Sequence, residues 1–262
     1  MSKIALITGG SSGLGLAFAK ILGKQGFSII ILARNKDRIQ LAVNELDTLN
    51  IESEGFACDV SDETGLKQTS EMIRSKYSQI DFLILNAGTV TVKLLSDYTD
   101  VGEIKNDLDT DLFGVIGSAY YFLPMLKPGS KLLMTSSGFG LVGAAGYSVY
   151  CAAKAGIVNF AESLRRELLH KKINVYVSCP GDMDTPQLHH EMESQPLWMK
   201  SDSPRKIVPV DWAAKRILKQ CKGTYKFLIL SGSDVKLLYY VTKLVPRKWR
   251  DYLLDIMLPR PK

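Results

Sequence analysis

The feature that most constrains this chain is an alternation of short aliphatic runs with longer segments whose apolar residues recur at helical spacing. The runs at 3–8, 28–33, 53–58, 82–86, 131–136 and 174–179 read as strands buried on both faces of a parallel sheet. The segments at 13–24, 36–49, 62–76, 101–126 and 148–170 read as the helices between them. Parallel neighbours need a crossover, and each crossover lays a helix on one face of the sheet. The pattern therefore predicts an α/β fold: a Rossmann-type doubly wound parallel sheet in three layers, α/β/α. A strand at 227–230, preceded by a helix at 210–222, would close it. With 262 residues, 46% of them hydrophobic, a single core needs no metal or disulfide support. One domain is expected over 1–232, with a long Pro-interrupted connection at 185–208. A helical tail broken at Pro246 follows at 233–262.

Charge narrows the partners. The formal net charge is +6, and most of it sits at one end. From Lys236 onward, Lys236, Lys243, Arg247, Lys248, Arg250, Arg260 and Lys262 face only Asp251 and Asp255. A neutral body with a basic end is not the footprint of a nucleic-acid binder. Cys58, Cys151, Cys179 and Cys221 are scattered without a CxxC pair, as buried small hydrophobes in a reducing compartment would be. The start, Met1-Ser2-Lys3, runs directly into the first strand and leaves no room for a signal-peptide core. The uncharged stretch 132–153 holds four glycines and four Ser/Thr residues, so a spanning helix is not expected there. These features together predict a cytoplasmic protein.

Thr8-Gly9-Gly10-Ser11-Ser12-Gly13-Leu14-Gly15 follows the first strand and opens the first helix. Glycines there let backbone N–H groups approach a diphosphate, and the helix N-terminus favours negative charge. The second strand ends Ala33-Arg34-Asn35, without the acid that would hold the ribose hydroxyls of NAD. Arg34, with Ser11 or Ser12, is instead placed to hold a 2′-phosphate, which points to NADP(H); the competing reading is a solvated loop charge. Asp59 and Val60 end the third strand, where Asp59 could accept from an adenine amino group. Asn86-Ala87-Gly88 end the fourth, where a flat ring could lie against backbone. Taken singly, both are also ordinary turn chemistry.

Tyr150 and Lys154 stand one turn apart on a predicted helix, and Ser137 ends the fifth strand. A free phenol titrates near 10, too high for efficient proton exchange at neutral pH, and an adjacent ammonium is expected to lower it. In reduction of a ketone, Tyr150 would protonate the developing alkoxide, Ser137 would hydrogen-bond the reacting oxygen, and NADPH would deliver hydride.

With these motifs assembled, the chain resembles a classical short-chain dehydrogenase/reductase from residue 3 to about residue 230. The resemblance is carried by the glycine turn, Asn86-Ala87-Gly88, Ser137, Tyr150-Cys151-Ala152-Ala153-Lys154, and Pro180-Gly181 followed by Thr185. It implies that Lys154 also binds the nicotinamide ribose, that Met183 and Thr185 contact the carboxamide end, and that the protein is a homodimer or homotetramer packed through its two long central helices. One position departs: Asp111 stands where the family commonly has Asn in a proton relay to the lysine. An ionised carboxylate accepts hydrogen bonds and cannot donate as an amide does, so the relay is altered, and the charge could offset the effect of Lys154 on Tyr150. Asp184-Thr185-Pro186, Glu191 and Pro196 further resemble the loop of 3-ketodihydrosphingosine reductases, which implies a long-chain keto-lipid substrate. The alternatives are a steroid or other small ketone, or a non-catalytic NADPH-binding regulator.

Three features remain open at this level. His189-His190-Glu191 lacks metal-site spacing, and no metal is expected. Leu197, Trp198 and Met199 fit either an apolar lid or core packing. The basic, apolar tail fits either an interfacial helix on anionic lipid or a helix packed beside the substrate cleft.

Overall fold

The computed structural model describes residues 2–200, 206–223 and 227–258. Seven strands form one parallel sheet: β1 (Lys3–Thr8), β2 (Phe27–Ala33), β3 (Ser53–Ala57), β4 (Ile80–Leu85), β5 (Leu126–Thr135), β6 (Asn174–Pro180) and β7 (Leu228–Ser231). Their order is β3-β2-β1-β4-β5-β6-β7, the doubly wound arrangement the alternation predicts. Successive residues of each strand point to opposite faces, so Leu6, Leu83, Met134 and Val177 build one core while Ile7, Ile84, Leu133 and Tyr176 build the other.

The first core is closed by α3 (Glu63–Lys76), α5 (Gly114–Phe122) and α6 (Ser148–Leu168), through Leu66, Phe122, Ile157 and Leu164. The second is closed by α1 (Gly13–Gly23), α2 (Lys36–Thr48) and α8 (Val210–Gln220), through Phe18, Leu22, Ile39, Leu46 and Ile217. Each such side chain, fully buried, contributes roughly 1.5–3 kcal/mol. All four cysteines are free and buried, and burial pushes the Cys179 and Cys221 thiols up to about 12.

One expectation needs correction. The single helix expected at 101–126 is α4 (Val101–Leu108), a π turn at Asp109–Phe113, and α5. It ends early because Pro124 has no N–H to continue the ladder, and a 3-10 turn leads into a strand that starts at Leu126. Within the Pro-interrupted connection after β6, Thr185 caps α7 (Pro186–Ser194), with Pro186 at its first position; residues 201–205 of that connection lie outside the described residues. In the tail, Pro246 separates α9 (Ser233–Leu244) from α10 (Arg247–Met257) as expected; Arg260 and Lys262 lie outside the described residues. Among the described residues no helix is long and apolar enough to cross a membrane.

Candidate active site

In a doubly wound sheet, ligands bind beyond the carboxyl ends of the strands where the winding reverses, here between β1 and β4. A cleft of about 1130 Å³ lies there. At its head, Gly9 has φ 65°, and a Cβ on it would lie 2.9 Å from the Ala87 Cα. A Cβ on Gly15 would lie 2.2 Å from the Gly9 carbonyl oxygen, so α1 begins flush against the turn only because that residue has no side chain. Thr8 is buried, and its hydroxyl accepts from the N–H groups of Asn86 at 3.0 Å and Ala87 at 3.1 Å. Thr8 and Gly15 thus shape the turn, whereas Gly9, Ser11, Ser12, Gly13 and Leu14 line the cleft.

The helices nearby differ in one respect. Asn35, Asp62 and Asp100 cap α2, α3 and α4 with their side chains. Ser12 makes no such bond to α1, whose first turn holds no acid. The first N–H groups of α1 are therefore available to an anion such as a diphosphate.

Arg34 stands exposed at the rim, 3.8 Å from the Asp59 carboxylate, a solvated pair worth little by itself. Arg38, in the first turn of α2, lines the same rim and was not singled out by sequence; its signal was a second basic residue one turn beyond Arg34, in the helix that Asn35 caps. Val60, Asn86, Ala87 and Gly88 line one wall, Pro180, Gly181, Met183 and Thr185 the other. The Thr185 hydroxyl is engaged as the cap of α7, accepting from the Leu188 N–H at 3.2 Å.

Ser137, Tyr150 and Lys154 meet at the floor of this cleft. Ser137 stands beside the Tyr150 phenol, and the Lys154 Nζ lies 5.3 Å from the Tyr150 ring centroid. Behind them, Lys154 donates to Asp111 at 3.0 Å in an ion pair whose side chains are 5% and 3% exposed. A Cβ on Gly88 would press on both, at 2.7 Å from Asp111 Oδ1 and 2.9 Å from Lys154 Nζ. Asp111 itself does not line the cleft. The phenol is not acidified as the sequence suggested. Burial pushes Tyr150 up, the Asp111 carboxylate pushes it further, Glu191 adds to this, and only the Ser137 hydroxyl opposes them.

A glycine turn facing a Ser, Tyr and Lys cluster across one cleft is what the sequence resemblance led us to expect. Residues 3–196 match the short chain dehydrogenase family. The chain belongs to that family. This short chain dehydrogenase is accordingly an oxidoreductase. It is 26% identical over 268 residues, 99% of its length and 84% of the relative's, to 11-beta-hydroxysteroid dehydrogenase-like 4A of Arabidopsis thaliana. It is 34% identical over 185 residues, 70% of its length and 74% of the relative's, to the 3-oxoacyl-acyl-carrier-protein reductase of Salmonella typhimurium. The crystal structure of a short chain dehydrogenase from Burkholderia cenocepacia in complex with NADP has the same fold, with a TM-score of 0.77 at 23% identity, covering 89% of this chain and 98% of that one.

The remaining walls of the dehydrogenase cleft come from its loop and tail. The Tyr147 hydroxyl donates to Glu191 at 2.6 Å and accepts from Gln195 at 2.8 Å, which fastens α7 to the start of α6. Met199 is buried and Trp198 partly so, packed with Val92, Tyr147 and Cys151, while Leu197 faces solvent. Of the two readings, lid or core, core packing thus holds for Trp198 and Met199. His189 Nε2 lies 2.9 Å from Asp184, and among the described residues no group of three or more potential metal ligands occurs. Val235 and Val241 bury α9 against the body, and Leu238, Met257 and Leu258 line the cleft. The outer face of α10 packs on nothing described: none of its residues is buried.

Proposed function

We propose that this dehydrogenase is an NADPH-dependent reductase of ketones that carry a long alkyl chain, of the 3-ketodihydrosphingosine type. One observation carries the reading: Ser137, Tyr150 and Lys154 converge in the cleft that begins at an uncapped helix N-terminus. In this reading residues 1–232 form the catalytic domain, with 185–208 as its substrate loop and 233–262 as its tail.

NADPH supplies the hydride when bound. The N–H groups at the start of α1, with Gly9, Ser11, Ser12, Gly13 and Leu14, hold its diphosphate, and Arg34 and Arg38 take the 2′-phosphate. Asp59 and Val60 border the adenine, and Asn86, Ala87 and Gly88 give a flat floor. Pro180, Gly181, Met183 and Thr185 hold the nicotinamide end. Ser137 donates a hydrogen bond to the substrate carbonyl oxygen and Tyr150 gives it a proton. Lys154 holds the nicotinamide ribose and stays beside the phenol. The NADP bound to the Burkholderia relative is in keeping with this choice of cofactor.

Replacing Arg34 with Asp is expected to weaken NADPH binding about 10- to 150-fold, since a charge-assisted hydrogen bond contributes about 1.5–3 kcal/mol, and to leave NADH much less affected. Titrating both cofactors by fluorescence checks this; equal losses would remove Arg34 from the phosphate site. The activity itself is tested by NADPH consumption with 3-ketodihydrosphingosine, a short ketone and a steroid ketone. Equal or better turnover of the short or steroidal compounds would leave a general ketoreductase.

The tail supports the lipid reading. Trp249, Tyr252, Leu253 and Ile256 are exposed along α10 at helical spacing, Leu237, Tyr240 and Leu244 are exposed on α9, and Lys243, Arg247 and Lys248 stand between them in sequence. Such a surface suits peripheral contact of a cytoplasmic protein with anionic lipid. Sedimentation with anionic vesicles should pellet the protein at low salt and release it at high salt, and no pelleting would sink this part. Phe113 and Tyr120, apolar and exposed on α5 and the turn before it, suit a homodimer or homotetramer packed through α5 and α6; a monomer in sedimentation velocity would contradict that.

A further inference from the structure

Asp111 occupies a place that the π turn creates, one residue's worth of extra backbone inside an otherwise α-helical stretch. Three donors converge on its carboxylate. The Lys154 ammonium at 3.0 Å and the Thr89 N–H at 2.9 Å share Oδ1, and the Thr89 hydroxyl reaches Oδ2 at 3.2 Å. The ammonium and the backbone N–H can only donate, and both meet Oδ1; the Thr89 hydroxyl at Oδ2 would serve a carboxylate or an amide alike, so what Asp111 brings beyond an amide is its charge. The ion pair lies deep enough that solvent screens it weakly, so the charge of Lys154 is answered from behind by Asp111.

Tyr150 meets that compensated pair on one side. Its other neighbours are Ser137 two residues beyond β5, Glu191 from α7, Tyr147 just before α6 and Cys151 on α6. Glu191 is itself held by Tyr147 and Gln195. Two carboxylates and burial thus act against a phenolate, with the Ser137 hydroxyl and the compensated ammonium on the other side.

We propose that Asp111 commits this site to carbonyl reduction: by offsetting the Lys154 ammonium it keeps Tyr150 a protonated donor under conditions where the reverse reaction needs a phenolate. Asp111 acts through Lys154 and is a positioning residue. The proposal rests on the assignment of Ser137, Tyr150 and Lys154 to ketone reduction. In that direction hydride passes from NADPH to the carbonyl carbon, the Tyr150 O–H breaks to protonate the oxygen, and solvent returns the proton to the phenolate. Alcohol oxidation runs the same transfers backwards and requires Tyr150 to begin deprotonated. A raised phenol therefore preserves reduction as pH climbs, until pH passes through the phenol's own titration. Oxidation emerges only above that point.

The test is the pH dependence of kcat in both directions, for the intact enzyme and for Asp111→Asn. The unsubstituted enzyme should reduce ketones well past neutral pH and oxidise the matching alcohol with NADP only in strongly alkaline solution. Removing a charge this close moves a titration by about 1–3 units, so both limbs should fall by that amount in Asp111→Asn, with roughly tenfold more oxidation at neutral pH for each unit. Ultraviolet titration of tyrosinate, taken as the difference between each enzyme and its Tyr150→Phe counterpart, should show the same displacement whether or not Asp111→Asn turns over well. Coincident limbs and coincident titrations would overturn the proposal, as would an oxidation limb at or below neutral pH in the unsubstituted enzyme, a result available even if Asp111→Asn fails to fold. Undiminished turnover in Tyr150→Phe would overturn the site assignment, and the proposal with it; unmoved limbs with an inactive Tyr150→Phe would overturn the proposal alone.

Discussion

Tyr150→Phe will bind NADPH nearly as the unsubstituted enzyme does and lose turnover by about 10²- to 10⁴-fold, the range expected when a positioned proton donor is deleted. The substitution removes one oxygen and leaves the ring, which packs between Tyr147 and the Lys154 ammonium, in place. The diphosphate cradle at Gly9 and the start of α1 lies at the other end of the cleft and is untouched. Cofactor titration alongside single-turnover kinetics separates the two effects. Loss of both together would mean that the phenol oxygen shapes the cofactor site, and loss of neither that another group supplies the proton.

The second large effect is on chain length. The far end of the cleft is bordered by Leu238, Met257 and Leu258, whose tail helices carry the exposed apolar residues. Each methylene buried there should contribute roughly 0.8 kcal/mol at most, so four of them amount to roughly 200-fold in kcat/KM before the groove is full. A series of β-ketones graded by alkyl length, assayed by NADPH oxidation, gives the slope directly. A flat series would remove the lipid chain from the account and leave the ketone chemistry standing.

Much of this was legible before any coordinates. Parallel strands buried on both faces must be nearly continuous apolar runs, and Ile29, Ile30 and Ile31 or Phe82, Leu83 and Ile84 are unmistakable in that respect. The order of strands then places Thr8-Gly9 and Asn86 side by side, and Tyr150 and Lys154 share a face by spacing alone. The π turn was not legible, because an inserted residue in a helix leaves the apolar pattern on either side intact. The pairing of Asp111 with Lys154 was raised by the family resemblance, whereas the contact of Thr89 with the same carboxylate was not, since Thr89 comes from a separate segment. The direction of the Tyr150 shift was only partly legible: Lys154 and the offsetting Asp111 are visible in the sequence, whereas burial of the phenol and the approach of Glu191 are not.

The most direct measurement follows a label. NADPH carrying deuterium at the transferable position of its nicotinamide, incubated with the enzyme and a long-chain β-ketone, should yield an alcohol with one deuterium on the former carbonyl carbon, and Tyr150→Phe should form almost none. NADPH that binds tightly, yet passes no deuterium to any ketone of the series, would contradict the account and leave a protein that holds the cofactor without using it.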